Sequence, residues 1–330
     1  MKKVLIFSLF LSGIVSFAQT GTNVYTFLNI PVSARQASLG GDAITMRDYD
    51  VSFAIANPSL LNKNSDKQLS VNAAMYLADS QFGTLAFAKD LDNGHMVTVN
   101  ARYLGYGNIP RTDESGFQLG EFSASDIAVG AGYAYQFEED WTIGGSLNFI
   151  TSKIDTYTSS ALSGTAGVTY HNKQSKEVAS IVFRNFGYQF KTFDGLREKL
   201  PFRIDIGYTK ILNNFPLAIT ITAHDLQKFD ISEEYNLNGQ EVGIGRKIAD
   251  HFSLGAELFP EKGFNIRLGY NVKRGNELAV QDQRSFTGLS GGFGLKISKF
   301  RLDYAHVRYH NSSNVNQIGI SVDLSGNRAK

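Results

Sequence analysis

The sequence predicts an all-β protein, an antiparallel transmembrane β-barrel of about 14 strands with a short helical N-terminal plug in its lumen. Three observations predict it. From about residue 68 onward, apolar and polar residues alternate with period two, so each segment turns one face to an apolar medium and the other away from it. The segments run to about ten residues, longer than the usual soluble strand of about five or six and suited to a tilted membrane strand of about 9–11. Their connections alternate between tight turns and long loops, the asymmetry of an outer-membrane barrel with short periplasmic turns and longer outer loops.

The first element is a signal. Lys2 and Lys3, an apolar run from Val4 to Val15 and a small-x-small site, Ser16-Phe17-Ala18, make residues 1–18 a secretory signal peptide. The run is too short for a helical span. Residues 19–67 follow as a plug segment and 68–330 as the barrel. Within the plug, Asn29 to Gly41 reads NIPVSARQASLGG. Pro31 suits the start of a helical turn, Ala34, Ala37 and Ser38 keep it thin, and Gly40-Gly41 reverse the chain. A barrel of this size has a lumen wider than its own side chains fill. A thin helix carrying one arginine is therefore expected inside it, with Arg35 meeting an inward carboxylate such as Asp205, Glu257 or Asp303. Asn57-Pro58 is expected to turn the chain from plug into first strand.

The strands follow near 68–76, 82–89, 95–103, 125–136, 141–151, 160–171, 177–186, 201–210, 217–224, 252–259, 264–271, 288–297, 300–309 and 314–323. Phe202, Ile204, Ile206 and Tyr208 alternate with Arg203, Asp205 and Gly207; Phe264, Ile266, Leu268 and Tyr270 alternate with Asn265, Arg267 and Gly269. The polar faces carry Arg102, Arg203, Asp205, Glu257, Arg267, Arg301 and Asp303 at mid-strand. With the apolar face on lipid, those charges turn inward, where acids and bases pair. Aromatic residues gather near strand ends, among them Tyr133, Trp141, Phe259 and Tyr304, as interfacial girdles require. Long loops are expected at 104–124, 187–200, 225–251 and 272–287.

Composition narrows the function. The chain has 32 Lys+Arg against 31 Asp+Glu and no cysteine. A near-neutral balance excludes nucleic acid as a partner, and the absent cysteines exclude a disulfide framework or thiolate metal site. Gly243-Ile244-Gly245 and Gly291-Gly292-Phe293-Gly294 do not link a strand to a helix, so they read as bends and turns rather than phosphate loops. His306 and His310 would lie about 13 Å apart on a strand, too far for one metal. Asp90 to Gly94 lacks the glycine and distal glutamate of a calcium loop, and Asp230 to Glu234 reads as a solvated face. No nucleophile motif gathers the serines, histidines and aspartates. The expectation is no enzyme, no cofactor and no metal.

Two blocks, YTFLNIPVSARQASLGG (Tyr25 to Gly41) and ANPSLL (Ala56 to Leu61), carry a resemblance. The chain resembles the PorQ group of the bacterial type IX secretion system, and more distantly PorV and the FadL-type outer-membrane transporters. The resemblance implies a FadL-like barrel, exported through its signal peptide and set in outer-membrane lipid. It also implies a role in anchoring a surface attachment complex for secreted cargo. Its implied partners are PorZ, which recognises anionic lipopolysaccharide, with PorU and PorV. One departure is the ending in Asn327-Arg328-Ala329-Lys330 rather than on an aromatic, which moves the expected insertion signal to about Ile318 to Leu324.

On this reading the protein is a docking platform, and Tyr106, Ile109, Phe117, Phe122, Phe229, Tyr235 and Ile244 are the loop residues expected to hold a surface partner. The alternative is a FadL-like channel for hydrophobic solutes, which requires an apolar lumen path and a lateral opening. The charged inward faces speak against it. A soluble periplasmic binding protein is a third class, which fractionation and heat-modifiable gel mobility would dismiss or rescue.

Overall fold

A computed structural model describes residues 23–77, 80–236, 239–278, 286–310 and 313–325. Residues 1–22, with the expected signal peptide, and the last five residues, 326–330, lie outside the described residues. Fourteen strands form one closed antiparallel barrel, each bonded to its sequence neighbours and the first to the last. In chain order they are β1 (Gln68–Met75), β2 (Gln81–Asp90), β3 (His95–Thr112), β4 (Gln118–Gln136), β5 (Trp141–Ile154), β6 (Tyr157–Asn172) and β7 (Glu177–Lys191). The second half is β8 (Arg203–Ile211), β9 (Leu217–Ala223), β10 (Phe252–Leu258), β11 (Phe264–Asn271), β12 (Leu289–Ile297), β13 (Phe300–His310) and β14 (Ser313–Asp323). Closure runs in register from Gln68↔Asp323 to Met75↔Asn316 and leaves no edge open.

Alternation sets the faces as the pattern requires. On β8, Arg203 and Asp205 are buried in the lumen while Ile206 and Tyr208 are exposed on the outer surface. No helix among the described residues is long and apolar enough to cross a membrane.

The wall is uneven. β3 to β7 are 14–19 residues long. The other strands are 7–11. The expected loop at 104–124 is mostly a hairpin instead. β2 stops pairing with β3 at Gln81↔Gly105, yet β3 and β4 stay paired from Asn108↔Ser123 to Thr112↔Gln118 beyond a bulge. That extension is exposed on nearly every residue, so it lacks the amphipathic alternation that marks a strand inside the wall. Pro110 is tolerated because β3 has a free edge there.

The plug fills the lumen with little regular structure. It contains the helical turn α1 (Ala34–Ser38) and 3-10 turns at Thr26–Asn29, Val51–Ile55, Pro58–Leu60 and Lys63–Ser65. It presses closest on the wall where the wall has glycine. A Cβ on Gly144 would stand 2.5 Å from Ser59 N, one on Gly167 2.5 Å from Asn57 Oδ1, and one on Gly255 3.0 Å from Leu39 Cβ. Gly292 of the Gly291-Gly292-Phe293-Gly294 run faces Ser38 the same way, so the run is strand interior that clears space for the plug, not a bend.

Gly144→Val should therefore cost about 1–3 kcal/mol by overpacking. Gly145→Val, whose Cβ would meet nothing nearer than 3.7 Å, should be nearly neutral. Heat-modifiable gel mobility followed against temperature checks the difference.

Candidate functional site: the plugged lumen

α1 is placed by its own sequence. Ser33 caps it, its Oγ accepting from Gln36 N at 3.2 Å, while Gln36 Oε1 accepts from Val32 N at 2.7 Å. This reciprocal arrangement is close to a capping box. The cap is thus Ser33 rather than Pro31, which lies in the extended approach. Gly40 and Gly41, at φ 91° and 94°, turn the chain back.

Arg35, 2% exposed, stands at the centre of the lower lumen. Its Nη2 donates to Glu257 Oε2 at 2.7 Å and its Nη1 to Asp48 Oδ2 at 2.6 Å. Glu257 also accepts from Arg267 Nε at 3.1 Å, Arg267 Nη1 lies 2.7 Å from Asp303, and Arg301 Nε lies 3.5 Å from the same carboxylate. Signs alternate along this chain of buried groups, as they must where water cannot screen them. Asp303 therefore serves Arg267 and Arg301.

Asp205 belongs to a second network. Arg184 donates to it at 3.1 Å and Arg203 at 3.2 Å, and Arg203 also donates to Asp42 of the plug at 2.8 Å. His224 and Asp225, a pair at 2.9 Å, complete it. Burial works against the ionised form of Asp42, but the charges of His224 and Arg203 outweigh it and hold the carboxyl down at about 2. Asp42, Asp48, Arg184 and His224 were not among the sequence candidates.

Asn57 and Pro58 do not turn the chain into β1. Asn57 is fully buried, its Oδ1 accepting from Ser59 N and Ser59 Oγ and its Nδ2 donating to Ile44 O. Together they start a 3-10 turn packed against β5 and β6. The chain leaves the lumen later, through the turn capped by Asn62.

The outer lumen differs from the charged inner part. Phe82, Leu104, Ala128, Ile150, Val307 and Val315 face inward and pack with Tyr25, Phe27, Leu28 and Ile30 of the plug. The inward faces are thus apolar towards the long-loop end, which corrects the expectation of a uniformly charged lumen. An outer cavity of about 560 Å³ lies above the plug and an inner one of about 530 Å³ below it.

Of the expected docking residues, Phe117, Phe229, Tyr235 and Ile244 are exposed, Phe117 by 72%. Ile109 and Phe122 are half-buried and lie opposite each other on the tall hairpin, with Arg111 over the Phe122 ring. Tyr106 is turned inward: its hydroxyl donates to Asp126 at 2.7 Å and it lines the outer cavity. It is not available on a surface loop, because the bulge after Gly105 re-aims it. No cluster of three or more His, Cys, Asp or Glu among the described residues could hold a metal.

No protein-family model matches the chain, and no curated protein does. Solved structures do. The monoaromatic hydrocarbon channel CymD is similar over 89% of this chain and 97% of its own, at 13% identity and a TM-score of 0.54. The Pseudomonas putida toluene transporter TodX is similar over 91% and 98%, at 12% identity and 0.53. A Pseudomonas aeruginosa FadL homologue is similar over 88% and 98%, at 10% identity and 0.50. At such identities the likeness shows the fold alone. The chain has the FadL-like fourteen-strand barrel fold of outer-membrane proteins.

Glu257→Ala should destabilise the plug by about 3–5 kcal/mol, because it leaves both Arg35 and Arg267 short of a counter-charge in a buried site. Limited trypsin digestion of the purified barrel checks this, with cleavage after Arg35 or Arg47 expected in the variant and not in the parent.

Proposed function

We propose that this chain is an outer-membrane barrel of the type IX secretion system that anchors a surface attachment complex, docking PorZ with PorU and PorV and reaching lipopolysaccharide through PorZ. The closed lumen carries the reading. Arg35 and Asp42 neutralise wall charges from inside, so the plug belongs to the barrel's core, while the tall β3–β4 hairpin and the 224–251 loop present Phe117, Phe229 and Ile244 to solvent. The two blocks that carry the family resemblance are the parts packed in that lumen, Tyr25 to Gly41 and Ala56 to Leu61. Work done at the rim is compatible with a barrel that conducts nothing.

A second reading has its own support. The fold is shared with hydrocarbon channels, and the outer lumen is lined by Phe82, Leu104 and Ile150 next to a cavity of about 560 Å³. These features favour a FadL-like conduit for hydrophobic solutes. Such a conduit requires the ion-paired plug to move, at the cost of several buried pairs.

Purification of the intact protein from outer membranes in mild detergent, with mass spectrometry of what co-purifies, separates the two. Surface proteins of an attachment complex are expected. Recovery of the barrel alone, with growth on hydrocarbons or fatty acids that depends on it, would favour the conduit.

A further inference from the structure

The two cavities differ in charge. The outer cavity is lined by three Lys or Arg side chains and three carboxylates, a balanced set. The inner cavity, at the short-turn mouth, is lined by seven Lys or Arg side chains against three carboxylates. Those three are already engaged: Asp48 with Arg35, Glu257 with Arg35 and Arg267, and Glu261 with Lys176 at 3.0 Å. In a chain whose total charge is close to zero, the excess at this one mouth is a local feature.

Two of the cations are built into the cavity wall. Arg301 is 5% exposed; it shares Asp303, 3.5 Å away, with the nearer Arg267, and its Nε and Nη2 are both buried without a hydrogen bond. Its guanidinium is stacked on the Tyr49 ring at 4.4 Å, which fixes its plane. Across β12 and β13 it lies directly opposite Lys296, a like-charge pair that is unfavourable unless something negative sits between. Arg47, from the plug, donates to His171 Nδ1 and Thr142 Oγ1, and its buried Nε has no partner. Burial without a carboxylate holds Arg47 down at about 10. Lys262 reaches the same cavity from a turn and Lys296 from the end of β12. An adjoining hollow of about 270 Å³ shares Asp48, Tyr49, Lys296 and Arg301 and adds Lys299 and Asp323.

We infer that the short-turn mouth is a binding site for a phosphate-bearing anion, held by the guanidinium groups of Arg301 and Arg47 and the ammonium groups of Lys296 and Lys262. Planar donor forks recognise phosphate oxygens in pairs, and lysines add point charge around them. The cavity volume is that of an ordinary small-ligand site. The anion would offset the Lys296–Arg301 repulsion and supply acceptors for the orphaned guanidinium hydrogens. Its source is either a free phosphate compound or the headgroup of a phospholipid from the leaflet at that end. Because Arg47 and Tyr49 come from the plug, the site exists only while the plug is seated.

Calorimetric titration of the intact protein in a non-ionic detergent tests this, with pyrophosphate and, separately, short-chain phosphatidylglycerol. Saturable binding of one or both is expected, weaker in high salt and about tenfold weaker in Lys262→Gln/Lys296→Gln, whose exposed positions leave folding intact. Arg301→Gln should weaken it further, while Lys273→Gln at the outer cavity should leave it unchanged. Binding of phosphatidylglycerol alone would support the site and assign it to lipid. No binding of either probe, or equal loss in Lys273→Gln, would overturn it as diffuse surface charge.

Discussion

Glu257 lies fully buried between two arginines, Arg35 of the plug and Arg267 of the wall, and the rest of the lumen is arranged around that contact. A closed sheet of fourteen strands encloses more space than its inward side chains fill. The space must be occupied by backbone, and backbone inside a barrel arrives with its own polar groups and charges. Most of the buried charges there meet an opposite one at contact distance, while Arg102 donates instead to the Leu28 carbonyl. The sequence Asp48–Arg35–Glu257–Arg267–Asp303–Arg301 satisfies this along one side, and Asp42–Arg203–Asp205–Arg184 along another. Losing a member from the middle of either row strands two neighbours rather than one.

Charge alone would not seat the plug. Its backbone reaches the wall at Gly144 and Gly255, and its side chains reach it at Gly167 and Gly292, where any wall side chain would stand in the way. Short side chains on the plug do the same from the other direction, since Ala34, Ala37 and Ser38 let α1 lie close to β11, β12 and β13. Towards the long-loop end the contact changes character, and apolar wall residues pack against Phe27, Leu28 and Ile30. The plug is therefore fixed by ion pairs at one level and by an apolar layer at another.

Much of this was legible in the sequence, because period-two alternation is imposed by the wall itself. Fourteen segments, and the side on which Arg203, Asp205 and Arg267 fall, follow directly from it. The tall β3–β4 hairpin was not legible, since residues 108–121 stand in water on both faces and carry no alternation. The apolar outer lumen was hidden for the opposite reason: Phe82, Leu104 and Ile150 make their strand ends apolar on both sides. The carboxylates of the plug could have been found by balance. Arg102, Arg203, Arg267 and Arg301 already outnumber Asp205, Glu257 and Asp303 among the inward charges, and Arg35 widens the gap. Acids had to come from the plug, and Asp42 and Asp48 are the ones that do. The role of Asn57-Pro58 was misplaced because an Asn-Pro pair starts a turn without revealing how many more follow it.

A seated plug determines what the protein can do, whether surface partners gather on its rim or a solute enters its outer chamber. The chain has no cysteine, so a disulfide introduced between plug and wall reports on that seating without interference. Thr45 of the plug and Thr209 of β8 already meet side chain to side chain, their hydroxyl oxygens 2.6 Å apart, so sulfurs in their places lie within reach of a bond. In outer membranes carrying Thr45→Cys with Thr209→Cys, mild oxidation should form the bridge nearly completely, leaving no thiol open to a membrane-impermeant maleimide. Free, rapidly labelled thiols at both positions in a folded, heat-modifiable barrel would contradict the account, because the plug would then lie outside the lumen.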